Sequence, residues 1–212
     1  IMSRAELKKW QQKYKAGEYT PNDSPSALLV AWLPRILKEA ESRPSFQSRA
    51  LDVACGLGRN ALFLARHGFA VDAIDISSAG LAIARRKALE RGLTVNWVQA
   101  DLDTFELPSS SYDLIIDNLY LNRNLAPKMI ASLKPKGILL FEHHLLPGEN
   151  PRTGTKLCAP SGTIHRAPTL KPGELLALFN GMEILHYEEG PVLKDGEPVQ
   201  MAQLVARKFS PR

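Results

Sequence analysis

Three acidic residues and two glycines are spaced so that they could build one ligand-binding site. Asp52 lies inside an apolar stretch shortly before a glycine turn, and Asp75 and Asp101 each follow a later apolar stretch. In that turn, Gly56 and Gly58 let the backbone approach a ligand closely and direct helix N-terminal N–H groups at an anion. An acid ahead of the turn suits an ammonium group, and an acid after the next strand can accept both hydroxyls of a ribose. The pattern favours a ligand with an amino-acid portion and a ribose.

The same turn also fits the dinucleotide fingerprint G-x-G-x-x-G/A, with Ala61 at its last position. Together with Asp75, this match favours an NAD(P)-dependent oxidoreductase as one alternative. Asp52 and Asp101 argue against it, as do the missing Tyr-x-x-x-Lys pair and the missing substrate domain. A tight turn that binds nothing, or a module that binds RNA or protein, would look similar. Such a module needs an exposed aromatic and basic patch, which the dispersed charges do not provide.

Two histidines are candidate proton acceptors at the end of the fifth predicted strand. In Glu142-His143-His144, an imidazole facing the site could take a proton from an attacking thiol, hydroxyl or amine. The structural alternative is that one ring packs on the sheet and the other is solvated, since no acid along the chain is placed to orient them. In a later loop, His165-Arg166 could close over an anion, with a solvated loop as the alternative.

Composition predicts one compact domain. The 212 residues are 44% hydrophobic and 23% charged, and the net charge of +5 is dispersed, which would attract an anionic ligand without forming a polybasic arm. Cys55 and Cys158 form neither a disulfide framework nor a zinc-type cluster, so no metal site is predicted. Because no apolar stretch could cross a bilayer and no signal peptide is recognised, we expect a soluble, cytoplasmic protein without membrane partners.

Helices and strands alternate along most of the chain. Two helices are predicted before residue 45, one after the capping pair Ser3 and Glu6 and one after Ser24-Pro25, with Pro34 kinking or dividing the second. Short, nearly continuous apolar stretches then alternate with helix-length segments, which indicates βαβ units and a parallel sheet. The predicted strands are Ala50 to Ala54, Ala70 to Ile76, Thr94 to Gln99, Tyr112 to Asn118 and Gly137 to His143.

The C-terminal part departs from this alternation. A helix near Gly173 to Asn180 precedes two strand candidates, Glu183 to Glu189 and Val199 to Lys208, and the Asp-Gly pair between them predicts a hairpin. The sheet should therefore end with an antiparallel pair. Residues 145–172 contain five prolines and no clear periodicity. A segment of this length without periodicity is typical of a lid or of a disordered segment, and we expect a lid.

Five motifs together carry a family resemblance. They are Leu51-Asp52-Val53-Ala54-Cys55-Gly56-Leu57-Gly58-Arg59-Asn60, Asp75, Ala100-Asp101-Leu102, Tyr112-Asp113-Leu114-Ile115 and Leu133-Lys134-Pro135-Lys136-Gly137. With them, about Arg49 to Lys208 resembles the class I S-adenosylmethionine-dependent methyltransferases. The resemblance implies an α/β, Rossmann-like, doubly wound sheet of seven strands, mostly parallel with a C-terminal antiparallel hairpin, and helices on both faces. It also implies S-adenosyl-L-methionine as cofactor and in-line methyl transfer to a small acceptor, soft or anionic, with nucleic acid left open.

The resemblance also assigns the cofactor contacts. Gly56 and Gly58 would border the methionine portion, and Asp52 would lie near its ammonium group. Asp75 would hold the ribose, and Asp101 would reach the adenine amino group. Because a strand-end acid supports no core, loss of the Asp75 carboxylate is expected to weaken cofactor binding and leave the fold intact. The whole predicted cofactor-binding set is Asp52, Ala54, Gly56, Gly58, Asp75, Ile76, Asp101, Leu102 and Asn118.

For the chemistry, the resemblance implies that Asn118 lies beside the transferred methyl group and joins His143 and His144 as the catalytic candidates. No activating motif of the amine-methylating enzymes follows Asn118, which disfavours amine methylation. Two positions depart from the family pattern. Ala54 and Lys136 stand where the family usually has glycine.

Within this class, the chain is most similar to the small tellurite-resistance and thiopurine-type enzymes, whose short helical N-terminus carries aromatic residues. Residues 1–45 are therefore predicted to cover the active site. Residues 46–212 are predicted to form the cofactor-binding methyltransferase domain, with the lid at 145–172. The predicted substrate contacts are Trp10, Tyr14, Tyr19, His165 and Arg166.

Overall fold

The alternation of strands and helices predicted from residue 49 onward is present in the protein. The computed structural model describes residues 4–17, 23–41, 47–146, 148–149, 156–157, 169–194 and 197–210. Its helices are α1 (Arg4–Lys15), α2 (Ala27–Glu41), α3 (Arg59–Arg66), α4 (Ser78–Glu90), α5 (Ala126–Ser132) and α6 (Glu174–Leu178). Its strands are β1 (Arg49–Val53), β2 (Ala70–Asp75), β3 (Asn96–Gln99), β4 (Tyr112–Asn118), β5 (Leu133–His144), β6 (Gly148–Glu149), β7 (Lys156–Leu157), β8 (Glu183–Lys194) and β9 (Glu197–Arg207). Among the helices in these ranges, none combines the length and the apolar character needed to cross a membrane.

Seven strands form one sheet in the order β3-β2-β1-β4-β5-β9-β8. Strand β1 pairs in parallel with β2 and β4, and the pairs β2–β3 and β4–β5 are also parallel. Strand β9 runs antiparallel to both β5 and β8. The predicted sheet, mostly parallel with a C-terminal antiparallel hairpin, is therefore confirmed. The Asp-Gly pair at the hairpin tip lies outside the described residues.

Apolar layers cover both faces of the sheet, which explains the nearly continuous apolar strands. Along β1, Leu51 and Val53 belong to one buried cluster and Ala50 belongs to the other. Helices α5 and α6 contribute Met129 and Leu175 to the first cluster. Helices α2, α3 and α4 pack on the second. The predicted helices on both faces are confirmed, and this arrangement leaves the strand ends as the place for polar side chains.

Helix α2 differs from its prediction in two respects. Ser26 caps it instead of Ser24, because the Leu29 N–H donates to Ser26 Oγ at 3.4 Å. Pro34 is exposed and the helix continues through it without dividing. Burial of the apolar face of α2 against the sheet offsets the roughly 3 kcal/mol that an interior proline costs a helix.

Residues 145–172 contain regular backbone pairing where they are described. Strands β6 and β7 pair antiparallel. The Leu170 N–H donates to the His144 carbonyl at 3.0 Å, and Leu145 forms a parallel bridge with Leu170. The described part of this segment thus returns to the end of β5 and pairs there. Its action as a lid stays a prediction.

Candidate active site

A cavity of about 320 Å³ opens at the carboxyl ends of β1 and β4. Strand order reverses between these two strands, which is where open α/β sheets bind ligands. Backbone turns, carboxylates and aromatic rings from distant parts of the chain meet there. The cavity is lined by Trp10, Tyr14, Asp52, Ala54, Cys55, Gly56, Leu57, Arg59, Asn60, Asp75, Ile76, Ala100, Leu102, Asn118, Leu119, Tyr120, His143 and His144.

The glycine turn between β1 and α3 forms the floor of the cavity. Gly56 has a φ of 55°, and its N–H donates to Asp75 Oδ2 at 2.8 Å. A Cβ atom at Gly56 would lie 2.9 Å from the Tyr14 hydroxyl. The left-handed backbone conformation therefore favours glycine, and an added Cβ atom would also displace the end of the Tyr14 side chain. Ala54 precedes it with a φ of 51°, which explains why a glycine is usual at that position.

Asp75 ends β2 with its carboxylate almost fully buried. Oδ1 accepts the Ser77 N–H at 2.8 Å, and Oδ2 accepts the Gly56 N–H. Burial raises the pKa of the Asp75 carboxyl, and the two backbone hydrogen bonds partly oppose that rise. Each oxygen has a further lone pair, so the carboxylate can accept hydroxyl groups while it holds the turn.

Asp52 is 1% exposed and also lines the cavity. Its Oδ2 accepts the Ala61 N–H in the first turn of α3 at 2.9 Å. Burial raises the pKa of the Asp52 carboxyl to about 7, against the lowering effect of the Ala61 hydrogen bond and of the positive charge of Arg59. A buried acid of this kind gains free energy when a cation neutralises it.

A chain of side-chain hydrogen bonds joins α3 to three strands of the sheet. Arg59 Nη2 donates to Asn118 Oδ1, and Asn118 Nδ2 donates to Glu142 Oε1. Gln203 Nε2 donates to the other Glu142 oxygen at 2.9 Å. Reversing the Asn118 amide would place donor against donor and acceptor against acceptor, so the two charged neighbours fix its orientation. We refer to Arg59, Asn118, Glu142 and Gln203 as the polar chain.

Sequence reasoning missed Arg59 and Glu142. Glu142 was noted only as the neighbour of two histidines, although an acid inside an apolar strand was the same signal that singled out Asp52. Arg59 follows the last glycine of the turn at the first position of α3, where a side chain can reach the strand ends. Its hydrogen-bond partner on β4, Asn118, is determined by the tertiary structure and cannot be recognised from the local sequence.

The end of β4 and the turn after it bring three consecutive residues to the cavity wall, Asn118, Leu119 and Tyr120. Asp117, just before them, is not one of the lining residues. Asp117 is 1% exposed, and its Oδ1 accepts the Tyr120 N–H at 3.2 Å. Burial raises the pKa of the Asp117 carboxyl well above its usual range. Leu119 has a φ of 67°, a strained conformation for a bulky residue, and its N–H donates to the Glu142 carbonyl at 2.9 Å. Asp117 is not among the site residues that the sequence predicts.

Two histidines at the end of β5, His143 and His144, both line the cavity. Their rings meet edge to face, with the centroids 5.7 Å apart. His143 is 4% exposed, and its Nδ1 lies 3.2 Å from the His144 carbonyl oxygen. Both structural and chemical roles remain consistent with these positions.

Helix α1 contributes aromatic rings to the cavity. The rings of Trp10 and Tyr14 stack with their centroids 5.8 Å apart. Gln11 Nε2 donates to Ser78 Oγ at 3.1 Å, which fastens α1 to the start of α4. Tyr14 lies against Gly80 as well as Gly56, so α1 covers the side of the cavity formed by the glycine turn.

Some predicted site residues lie elsewhere. A Cβ atom at Gly58 would meet the Trp97 ring at 2.5 Å, so this glycine permits packing of the turn on β3 and is not part of the cavity lining. Asp101 lies between the lining residues Ala100 and Leu102, and its Oδ1 accepts the Asp103 N–H at 3.0 Å. The predicted contacts Tyr19, His165 and Arg166 lie outside the described residues. Among all the residues that the structure describes, no group of three or more His, Cys, Asp or Glu side chains could hold a metal ion.

Comparison with known proteins identifies the domain. The family described as "Methyltransferase domain" matches residues 50–137, which contain the glycine turn, Asp75 and β4. A ubiquinone biosynthesis O-methyltransferase of Actinobacillus pleuropneumoniae is 30% identical over 148 residues, 62% of this chain and 63% of that protein. A malonyl-[acyl-carrier protein] O-methyltransferase of Enterobacter lignolyticus is 31% identical over 99 residues, 44% of this chain and 38% of that protein. The chain spans between 30% and 63% of the length of such curated relatives.

Solved structures extend the likeness to most of the chain at the level of fold. A protein of echinomycin biosynthesis that converts a disulfide bond into a thioacetal group has a TM-score of 0.67 and 22% identity, with 96% of this chain and 93% of that chain covered. TehB from Haemophilus influenzae has a TM-score of 0.61 and 21% identity, with 82% and 62% covered. Residues 50–137 are therefore a methyltransferase domain, and most of the chain shares its fold with solved S-adenosylmethionine-dependent methyltransferases, a class whose cofactor is S-adenosyl-L-methionine.

Proposed function

We propose that this chain transfers the methyl group of S-adenosyl-L-methionine to a small acceptor by in-line displacement. The observation that carries the proposal is the meeting of Asp52, Asp75 and the Gly56 turn at one cavity. Gly56, in a left-handed conformation with a φ of 55°, brings its backbone to the cavity without a side chain. The two buried carboxylates are the groups that an ammonium and a ribose need, so the residues present fit the cofactor.

The proposed cofactor contacts follow from the chemistry of the lining. Asp75 would accept the ribose hydroxyls, and Asp52 would accept the ammonium group. The apolar side chains of Ile76 and Leu102, with Ala100, would flank the adenine ring. Asp101, beside Leu102, remains our candidate for the adenine amino group. Gly56 remains the contact to the methionine portion, whereas packing against Trp97 accounts for Gly58.

The reaction demands little acid–base chemistry from the protein. When bound, the cofactor supplies a methyl group already activated on a positively charged sulfur. The chain therefore has to align the acceptor and exclude water, which can contribute several kcal/mol to the lowering of the barrier. Asn118, fixed in orientation by the polar chain, would border the transferred methyl group. His143 and His144 would accept a proton only if the acceptor carries one.

The acceptor is proposed to be a small molecule enclosed by the N-terminal segment and residues 145–172. Support comes from Trp10 and Tyr14 in the cavity lining and from the return of Leu170 to the end of β5. The sequence resemblance to the small tellurite-resistance enzymes supports a soft acceptor. The two O-methyltransferase relatives support a hydroxyl-bearing acceptor equally well.

A ligand-dependent thermal scan tests the cofactor assignment. S-Adenosylhomocysteine at 100 times its Kd should stabilise the fold by about 2.7 kcal/mol, whereas NAD should leave the melting temperature unchanged. A rise with NAD and none with S-adenosylhomocysteine would favour the oxidoreductase alternative. The acceptor is tested with methyl-labelled cofactor and a metabolite extract beside total RNA. Label in RNA alone would contradict the small acceptor, and absence of transfer despite cofactor binding would favour a binding module.

A further inference from the structure

Arg59 is a half-buried cation in a cavity whose other charged lining groups are carboxylates. Its guanidinium donates to two neutral acceptors, Asn118 Oδ1 and the Ser24 carbonyl oxygen, the latter at 3.5 Å. Within the described part of the chain, no carboxylate forms an ion pair with it. A guanidinium has five N–H donors in a planar fork, so donors remain for a carboxylate in the cavity.

Arg59 and Asp52 form a pair of opposite charges at the two ends of one short loop. Asp52 is bonded to the N–H of Ala61, two residues after Arg59, which fastens the acid to the first turn of the helix that carries the cation. Asp52 and Arg59 are each hydrogen-bonded to a neutral group and not to one another, so both can still bind a charged group of a ligand. The N-terminal end of α3 adds partial positive charge on the Arg59 side.

An α-amino acid group carries an ammonium and a carboxylate on the same carbon. A site for it therefore needs an anion and a cation a short distance apart, both facing the same cavity. Asp52 and Arg59 meet this requirement.

The polar chain determines where the Arg59 guanidinium lies. Glu142 fixes the Asn118 amide with its oxygen toward Arg59, and that oxygen holds Arg59 Nη2. Glu142 is in turn held by Gln203 from β9. The carboxylate on β5 therefore acts on the cavity through Asn118 and is not itself one of the lining residues.

We propose that Arg59 binds the carboxylate of the cofactor's methionine portion and that Glu142, acting through Asn118, is a positioning residue for Arg59. The inference rests on the proposed function, because it takes S-adenosyl-L-methionine as the ligand of this cavity. It assigns the amino-acid end of the ligand to a pair, Asp52 for the ammonium and Arg59 for the carboxylate. It also makes cofactor affinity depend on a side chain of the acceptor-side strand β5.

Calorimetry with three ligands tests this assignment. S-Adenosylmethionine carries the whole amino acid, its decarboxylated form lacks only the carboxylate, and 5′-methylthioadenosine lacks the entire amino-acid portion. Arg59→Met should weaken binding of S-adenosylmethionine by about tenfold or more, since hydrogen bonds between charged groups are among the strongest. Binding of the other two ligands should not change. Arg66→Met, at the exposed end of the same helix, is the matched control and should change none of the three.

Glu142→Gln should weaken S-adenosylmethionine binding less than Arg59→Met, again without effect on the two ligands that lack the carboxylate. Arg59→Lys, which keeps the charge but loses the planar fork, should fall between wild type and Arg59→Met and remains informative if the methionine variant folds poorly. Equal weakening of all three ligands in Arg59→Met would assign Arg59 a structural role and overturn the proposal. If Arg59→Met weakens the binding of none of the three ligands, the proposal is also overturned, and Arg59 would instead be assigned to the acceptor. A wild-type protein that binds none of the three would instead refute the proposed function itself.

Discussion

Gly56 and Asp75 are joined by a hydrogen bond of 2.8 Å, in which the Gly56 N–H at the end of β1 donates to Oδ2 at the end of β2. The other oxygen of Asp75 accepts the Ser77 N–H just before α4. One buried carboxylate thus holds the glycine turn and the start of the next helix in place. The sequence alone predicts that loss of this carboxylate leaves the fold intact, whereas these two hydrogen bonds predict that it also lowers the stability.

Asp75→Ala should reduce both cofactor binding and stability. The lost contact to the ribose should weaken S-adenosylhomocysteine binding by at least about tenfold, and two buried N–H groups left without an acceptor should cost about 1–3 kcal/mol each. Calorimetry and urea unfolding measure the two effects. Asp113→Ala is the control, because Asp113 also accepts a backbone N–H, that of Arg49, but lies at the start of β4 away from the cavity. It should lower stability without changing affinity. An unchanged affinity of Asp75→Ala for S-adenosylhomocysteine would contradict the ribose assignment.

Cofactor binding should strengthen between pH 6 and pH 8 because of Asp52. Its pKa of about 7 means that the ammonium-binding, ionised form is a minor species at pH 6 and the major one at pH 8. The affinity for S-adenosylhomocysteine should therefore rise by about tenfold over this interval. Asp52→Asn should bind weakly with no such pH dependence. A pH-dependent variant would show that another group is responsible.

The same carboxyl should make the free protein less stable as the pH rises. The pKa of Asp52 is higher in the folded state than in the unfolded state, so the folded state binds more protons between about pH 4 and pH 7 and loses this stabilisation over that window. At pH 8, Asp52→Asn should unfold at a higher temperature than wild type, by at least about 2–4 °C. The difference should shrink at pH 4. Equal melting temperatures at pH 8 would mean that Asp52 is solvated enough to ionise freely.

Ala54→Gly should stabilise the protein. The left-handed conformation of Ala54 destabilises the folded state by roughly 1–2 kcal/mol, and glycine removes this cost. Glycine also gives the unfolded chain more conformational freedom, which offsets about 0.4–1 kcal/mol of the gain. The net gain should raise the melting temperature by about 2–4 °C and leave S-adenosylhomocysteine binding intact. Ala50→Gly, in the regular part of β1, is the matched control and should lower it. A lower melting temperature in Ala54→Gly would show that the Ala54 methyl group packs usefully.

Tyr14→Ala should weaken cofactor binding, although the sequence suggested that the N-terminal segment covers the acceptor. The ring lies against the Gly56 turn and stacks on Trp10, and aromatic contacts of this kind contribute about 0.5–1.5 kcal/mol, or about two- to twelvefold in Kd. Stopped-flow measurement of S-adenosylhomocysteine release should show faster dissociation. Lys15→Ala, exposed on the same helix, should behave as wild type. An unchanged rate of S-adenosylhomocysteine release in Tyr14→Ala would indicate that α1 covers the acceptor and not the cofactor.

His143 and His144 should contribute to structure and alignment more than to proton transfer. We expect His144→Ala to lower single-turnover methyl transfer by less than about tenfold, whereas loss of a general base costs about 10²–10⁴-fold. His143 is 4% exposed, so His143→Ala should also lower the melting temperature. The rate is measured against pH in both variants with the acceptor that the metabolite screen identifies. A large loss together with disappearance of a pKa near 6.5 would establish general-base catalysis instead.

Local sequence was sufficient to determine the βαβ order, the C-terminal hairpin and the positions of the strand-end acids, because each depends on apolar periodicity and turn residues within a short window. Tertiary structure decided the rest. The bonds from Gly56 to Asp75 and from Arg59 through Asn118 to Glu142 join residues far apart in the chain, and hydrophobic periodicity carries no information about such partners. The placement of Gly58 against Trp97 depends in the same way on how β3 packs beside β2. Sequence pattern fixes which side chains reach the sheet edge, whereas packing of the layers decides which of them meet.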